Sequence, residues 1–186
     1  MASENTTRRA SRRDALRFGG TAGVALAAGA VLRSASAAQD ATPAAGEASV
    51  TVQAVSLQTA TTLIEAAQAK AGELGVPMAI AVVDPGGMLK AFARMDGVNS
   101  AATVEIVQKK AYTAASFRSP THGIAEGVAD NVPRAVSLAA LENFILLPGG
   151  YPTSVGDVVV GGLGVGGGAP EQDMEVAEAA LAALGG

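Results

Sequence analysis

The positions Leu57, Leu63, Ile64, Ala67, Ala71 and Leu74 fall three and four residues apart, which places them on one stripe of a helix, and Gly75 with Pro77 supplies its stop. Residues 78–83 form a continuous apolar run, Asp84-Pro85-Gly86-Gly87 a turn, and residues 88–94 alternate, so a β-hairpin is expected there. After a second turn at Met95-Asp96-Gly97, Ser100 can cap a helix through Thr103, Glu105, Lys109 and Ala114, whose narrow Ala face suits close packing. Pro120 interrupts that helix, Thr121 or Ser119 can start a short piece reaching Gly127, and Pro133 breaks the chain again. A helical turn over 138–141 and a strand-like apolar run over 144–147 follow, the latter ended by Pro148-Gly149-Gly150. Residues 151–155 and 157–165, divided by Gly156, read as a second hairpin, with Val158-Val159-Val160 strongly favouring a strand. From 170 to 184, Met174, Val176, Ala177, Ala180, Leu181 and Leu184 again keep helical spacing, and Glu171, Asp173 and Glu175 crowd the first turn, where the helix dipole favours acids.

Strands joined by tight turns pair antiparallel, and the helices must lie on the sheet to bury their stripes. The expected fold is therefore α/β of the α+β kind, with a mainly antiparallel sheet of about five strands flanked by helices. A length of 186 residues fits one such domain. With 3% aromatic residues and no Trp, the core must be built from Ala, Val, Leu and Ile. The absence of Cys excludes disulfides, thiolate metal sites and a Cys nucleophile, and a single His excludes zinc sites built on several imidazoles.

The N-terminal region reads as an address. Arg12-Arg13-Asp14-Ala15-Leu16-Arg17 resembles the twin-arginine (Tat) export signal, with Ala15 where that pattern usually has Phe. The fifteen uncharged residues 18–32 are too few and too Gly-rich to span a membrane, which takes about 20 apolar residues, so no stable membrane span is expected. Ala35-Ser36-Ala37 and Ser36-Ala37-Ala38 offer small-x-small cleavage sites, so 1–38 is assigned as signal peptide, 39–56 as linker and 57–186 as the folded domain. Processing at Gln39 removes six of 13 basic residues and two of 17 acidic ones, leaving 7 against 15 and a net charge near −8. Such a surface repels nucleic acid. The destination implied is extracellular, or the cell envelope and periplasm. The basic cluster Arg8, Arg9, Arg12, Arg13 and Arg17 has a second reading, a flexible arm for nucleic acid or anionic lipid.

Four further stretches, 83–89 (Val-Asp-Pro-Gly-Gly-Met-Leu), 91–97 (Ala-Phe-Ala-Arg-Met-Asp-Gly), 109–117 (Lys-Lys-Ala-Tyr-Thr-Ala-Ala-Ser-Phe) and 147–152 (Leu-Pro-Gly-Gly-Tyr-Pro), closely resemble the GlcG/HbpS family, also called the heme-degrading domain, which includes the C-terminal domain of the PduO adenosyltransferases. Residues 161–168, with Glu171-Gln172-Asp173 and Ala177, resemble its C-terminal end, so the similarity runs from about Leu57 to Leu184. The resemblance implies a profilin-like fold, a homo-oligomer and heme as ligand. It also implies, for an exported branch, heme sensing or sequestration outside the cytoplasm beside a sensor kinase. Corrinoid is the less favoured ligand. An enzyme or enzyme accessory acting on a tetrapyrrole or small metabolite, through heme degradation or glycolate-linked metabolism, is the alternative.

Each candidate side chain has a plainer role beside the functional one. His122, the one imidazole, is a candidate iron ligand or a solvent-facing or capping residue. The resemblance associates Thr113 with heme, and Tyr112 offers a phenolate or a ring for the porphyrin face, yet both also suit a helix packed on the sheet. Lys109, Lys110 and Arg94 are cations for the two heme propionates, or ion-pair partners of Glu105, Asp96 or Asp84. Met78, Met88, Met95 and Met174 are soft ligands or core filler. The Gly162-Leu163-Gly164-Val165-Gly166-Gly167 run has dinucleotide-loop spacing but lacks the later strand and acid such a fold needs, so its glycines are expected to admit close helix or subunit packing. Glu171, Asp173, Glu175 and Glu178 read as a solvated helix face able to hold iron weakly. No Ser-His-acid set exists, and no catalytic residue is assigned: binding rather than turnover is expected.

Overall fold

The computed structural model describes residues 50–185; the signal-like segment 1–38 and most of the linker lie outside the described residues. The elements run α1 (Leu57–Leu74), β1 (Ala79–Val83), β2 (Leu89–Arg94), α2 (Ala101–Phe117), α3 (Thr121–Glu126), α4 (Val132–Ala139), β3 (Gly150–Val155), β4 (Val158–Gly166) and α5 (Pro170–Ala182). Four strands, all antiparallel, form one sheet in the order β2-β1-β4-β3, which makes the domain α+β.

Both faces of this sheet are covered, so β1 is buried at all five positions rather than alternating. Ile80 and Val82 face one side, where α1 and α5 bring Leu63, Ala67, Ala71, Val176, Ala177 and Ala180 against them. Ala79, Ala81 and Val83 face the other, packed against Val107, Ala111 and Ala115 of α2. The glycines of β4 explain how closely α2 lies: a Cβ on Gly164 would overlap the Val107 carbonyl, and one on Gly162 the Ala111 carbonyl. The Gly-rich run is thus a seat for a helix backbone.

The ends of α1 follow its sequence signals. Ser56 Oγ accepts from the Thr59 N–H at 3.0 Å, and Gly75 closes the helix in the left-handed region at φ 66°. Ahead of α1, Val55 is buried and its N–H donates to the Val160 carbonyl at 2.7 Å. Ser100 stands at the start of α2 but its side chain caps nothing.

Two expectations between α2 and β3 require correction. The fifth strand at 144–147 does not form. Phe144 is buried with its ring 5.1 Å from that of Phe117, and the Ile145 N–H donates to Thr113 Oγ1 at 2.9 Å, so a side chain takes the donor a ladder needs. Helix α4 starts at Val132, six residues before the expected turn, because the Asn131 side chain accepts from the Arg134 N–H and Pro133 sits in the first turn, where its missing donor costs nothing.

Candidate functional site

The turn joining β1 to β2 is fixed by one carboxylate. Asp84 Oδ1 accepts from the Gly86 N–H at 2.9 Å and the Met88 N–H at 3.0 Å, while the Asp84 carbonyl accepts from Gly87. Gly87 has φ 82°, and its α-carbon has no room for a side chain because the Tyr112 ring fills that space, with Cε2 2.5 Å from where a Cβ would stand. The ring of α2 therefore rests on the backbone of the turn. Val104, Gln108 and Tyr112 are spaced by four along one face of α2, with Glu105 and Lys109 beside them. Together with Val83, Leu89 and the rim residues Glu142 and Asn143 they line an open groove of about 710 Å³. That volume lies within the roughly 300–1,000 Å³ usual for small-molecule sites. Asn143 turns the chain at φ 62°, a conformation its short polar side chain tolerates.

One ion pair marks the groove. Lys109 Nζ lies 2.7 Å from Glu105 Oε1, and this bond and charge hold the Glu105 carboxyl below its usual value. Both groups keep solvent contact, so the pair contributes little to stability and the ammonium remains available to an incoming anion. A groove of mixed polar and apolar lining, with a ring seated on a glycine and a cation paired to a carboxylate at its edge, can take a flat ligand that presents both apolar surface and acidic groups. It holds no nucleophile–base pair.

Of the sequence candidates, the structure brings Tyr112 and Lys109 together here and places the others elsewhere. Lys110, expected among the ligand-binding cations, is 3% exposed. Its Nζ donates to Asp173 Oδ2 and to the Val165 carbonyl, each at 2.7 Å, beside a separate 270 Å³ cavity at the start of α5. Thr113 points into the protein, fully buried, and its Oγ1 accepts from the Ile145 N–H. Adjacent residues of a helix are about 100° apart, which is why Lys109 and Tyr112 face the groove while Lys110 and Thr113 do not. Arg94 is exposed at the far end of the hairpin, where Nη1 donates to the Val98 carbonyl at 2.9 Å and closes the second turn. His122 does not line the groove: its ring is 5.6 Å from that of Tyr151, and its Nδ1 is buried with no hydrogen-bond partner among the described residues. Met88 lies at the groove mouth, 73% exposed, while Met78 is buried.

The acids of α5 are not one solvated face. Asp173 is buried on Lys110 and also accepts from the Gly168 N–H at 3.0 Å; Glu175 lies 2.9 Å from Lys70; and Glu178 accepts the Tyr151 O–H at 2.7 Å. Burial lowers the Lys110 ammonium and raises the Asp173 carboxyl, and their mutual attraction opposes both shifts. Burial, then the Glu178 hydrogen bond, holds the Tyr151 phenol well above its usual value. Among the described residues, no group of three or more His, Asp or Glu side chains is arranged to hold a metal, and no helix is long and apolar enough to cross a membrane. Sequence reasoning missed the Gly87 seat and the Glu142-Asn143 rim. The spacing of 104, 108 and 112 was a legible sign of a shared face.

Residues 55–182 match the family model described as "Haem degrading protein HbpS-like". The chain belongs to the HbpS-like family. A crystal structure of HbpS is similar at 30% sequence identity and TM-score 0.69, covering 76% of this chain and 97% of that one. A crystal structure titled as a PduOC:heme complex is similar at 30% identity and TM-score 0.64, covering 70% and 94% respectively. The corrinoid adenosyltransferase PduO of Citrobacter freundii is 35% identical over 127 residues, which are 66% of this chain but 36% of that protein. The HbpS-like region thus corresponds to about a third of PduO.

Proposed function

We propose that this HbpS-like protein is exported folded and binds heme outside the cytoplasm, where it sequesters or senses it as a homo-oligomer, in the sensing case with a sensor kinase. One observation carries the binding step: Tyr112, seated on Gly87, and the solvent-accessible Lys109 ammonium share one groove of mixed polar and apolar lining. The residues fit the group. Val104 and Leu89 offer apolar surface to the macrocycle, Tyr112 offers its phenol, and Lys109 exchanges part of its Glu105 pairing for a propionate. Bound heme supplies the iron and its redox chemistry; the chain supplies shape, charge and partial exclusion of water. The heme named in the PduOC complex and the haem named in the family description support this ligand. The twin arginine Arg12-Arg13 and the cleavage pattern before Gln39 support export.

Hemin titration of the purified full chain, followed at the Soret band, tests the reading. The expected result is saturation at one hemin per chain, with weaker binding in Lys109→Ala and Tyr112→Ala and none of that weakening in Lys110→Met. A linear, unsaturable response refutes it. Saturable uptake of a corrinoid that hemin does not displace moves the reading to the corrinoid alternative, and loss of the band with product release under a reductant moves it to heme degradation. For export, Arg12→Lys with Arg13→Lys keeps the charge but breaks the motif, and the protein is expected to remain unprocessed in the cytoplasm.

A further inference from the structure

We propose that Tyr112 is the axial ligand to the iron of a bound ferric heme, with Gly87 as its positioning residue. The proposal rests on the heme reading above and names the atom that completes it. The imidazole that sequence favours, His122, is not part of the groove and lies instead against Tyr151. The groove's remaining donors are unequal. Lys109 and Glu105 already engage each other at 2.7 Å. Met88, a soft thioether on a 73% exposed side chain, and Glu142, a carboxylate on an exposed residue, would each have to be ordered before holding a metal. Tyr112 is different on both counts. Its ring is already fixed against the turn, in space that no residue other than glycine leaves open at position 87, and that turn is itself clamped by the two Asp84 hydrogen bonds. Its hydroxyl has no protein hydrogen-bond partner among the described residues, whereas the other tyrosine, Tyr151, donates to Glu178.

A phenolate is a hard anionic donor of a kind known to hold ferric heme. On ligation the Tyr112 oxygen forms one bond to iron, its proton leaves to solvent water, and the iron stays ferric. The chain needs no oxidant or reductant for this step. Gly87 acts through Tyr112: a methyl group at position 87 displaces the ring and with it the oxygen.

Absorption and resonance Raman spectra of the full chain loaded with hemin test the assignment. The parent is expected to show a phenolate-to-iron charge-transfer band and phenolate ring modes. Tyr112→Phe keeps the ring on Gly87 and removes only the oxygen, so it is expected to bind one hemin at least tenfold more weakly and to lose both signatures. Tyr151→Phe is expected to keep them. Gly87→Ala is expected to weaken them while hemin is still taken up, and Gly87→Ala does so without changing the far-ultraviolet circular dichroism. Spectra of Tyr112→Phe identical to the parent, or imidazole-type spectra abolished by His122→Ala, overturn the assignment and leave heme binding intact. Failure of the parent to take up hemin overturns the heme reading itself.

Discussion

Replacing Lys110 by Met should cost the fold about 3–5 kcal/mol, the range measured when one partner of a buried ion pair is removed. The structure shows why the upper half of that range is reasonable. Two 2.7 Å bonds are lost, one to Asp173 and one to the Val165 carbonyl, in a side chain only 3% exposed. Asp173 is left as a buried carboxylate with the Gly168 N–H at 3.0 Å. A domain of this size has a total stability of about 5–15 kcal/mol, and about 3–5 °C of melting temperature accompanies each kcal/mol, so Tm should fall by about 9–25 °C. The sign of the pH effect also follows. The Asp173 carboxyl is raised in the fold, so the folded chain binds the proton more readily than the unfolded chain, and acidification through that raised range favours folding at this site. Without the opposing attraction of Lys110 the carboxyl is raised further, and the deficit should shrink as pH falls into that raised range. Adding Asp173→Leu should recover at least half of the loss, because an apolar pair costs less to bury than a lone charge. Urea unfolding of the full chain by circular dichroism measures all three variants. A cost below about 1 kcal/mol for Lys110→Met would refute the buried-pair reasoning. A tenfold loss of hemin affinity in the folded variant would return Lys110 to the ligand site.

Three other outcomes are expected. Thr113→Val leaves the Ile145 N–H unpaired at the edge of the core, and urea unfolding should show a loss of about 1–3 kcal/mol with hemin affinity unchanged. Tyr151→Phe removes the Glu178 hydrogen bond, at a cost of about 0.5–1.5 kcal/mol near neutral pH. Because the Tyr151 phenol is raised in the fold, its contribution is complete below the ordinary phenol value of 10.0 and is lost as pH climbs above it, so the variant should show a shallower alkaline decline in Tm. Lys109→Ala should leave stability within about 0.5 kcal/mol, since its pair is exposed, while weakening hemin binding severalfold and flattening the salt dependence of a titration.

The elements that sequence revealed are those whose signal is local. Helix α1 carries its cap, stripe and glycine stop within twenty residues, and both hairpins are announced by the turns at Asp84-Pro85-Gly86-Gly87 and Gly156. The packing role of Gly162 and Gly164, expected from sequence, is what the structure shows: a Cβ on either would meet the backbone of α2. What local sequence does not show depends on distant partners. The run at 144–147 has strand composition, but Thr113, 32 residues earlier, takes its Ile145 donor. Lys110 and Lys109 are neighbours with the same chemistry, and only Asp173, 63 residues later, decides that one is buried and the other faces the groove. His122 drew attention as the single imidazole, yet its place against Tyr151 is set by how α3 meets β3, which no local pattern encodes. The Gly87 seat is of the same kind: the turn predicts a glycine there, and only the fold shows that Tyr112 fills the space it leaves.

The location of the heme is the central claim, and paramagnetic broadening in amide NMR spectra tests it most directly. The full chain is compared when loaded with ferric hemin and with the metal-free porphyrin. Signals of Gly86, Gly87 and Met88 in the turn, and of Lys109 and Tyr112 on α2, should be lost to the iron, while those of Tyr151 and α5 persist. Broadening centred on His122, or on the cavity beside Lys110 and Asp173, would contradict the account.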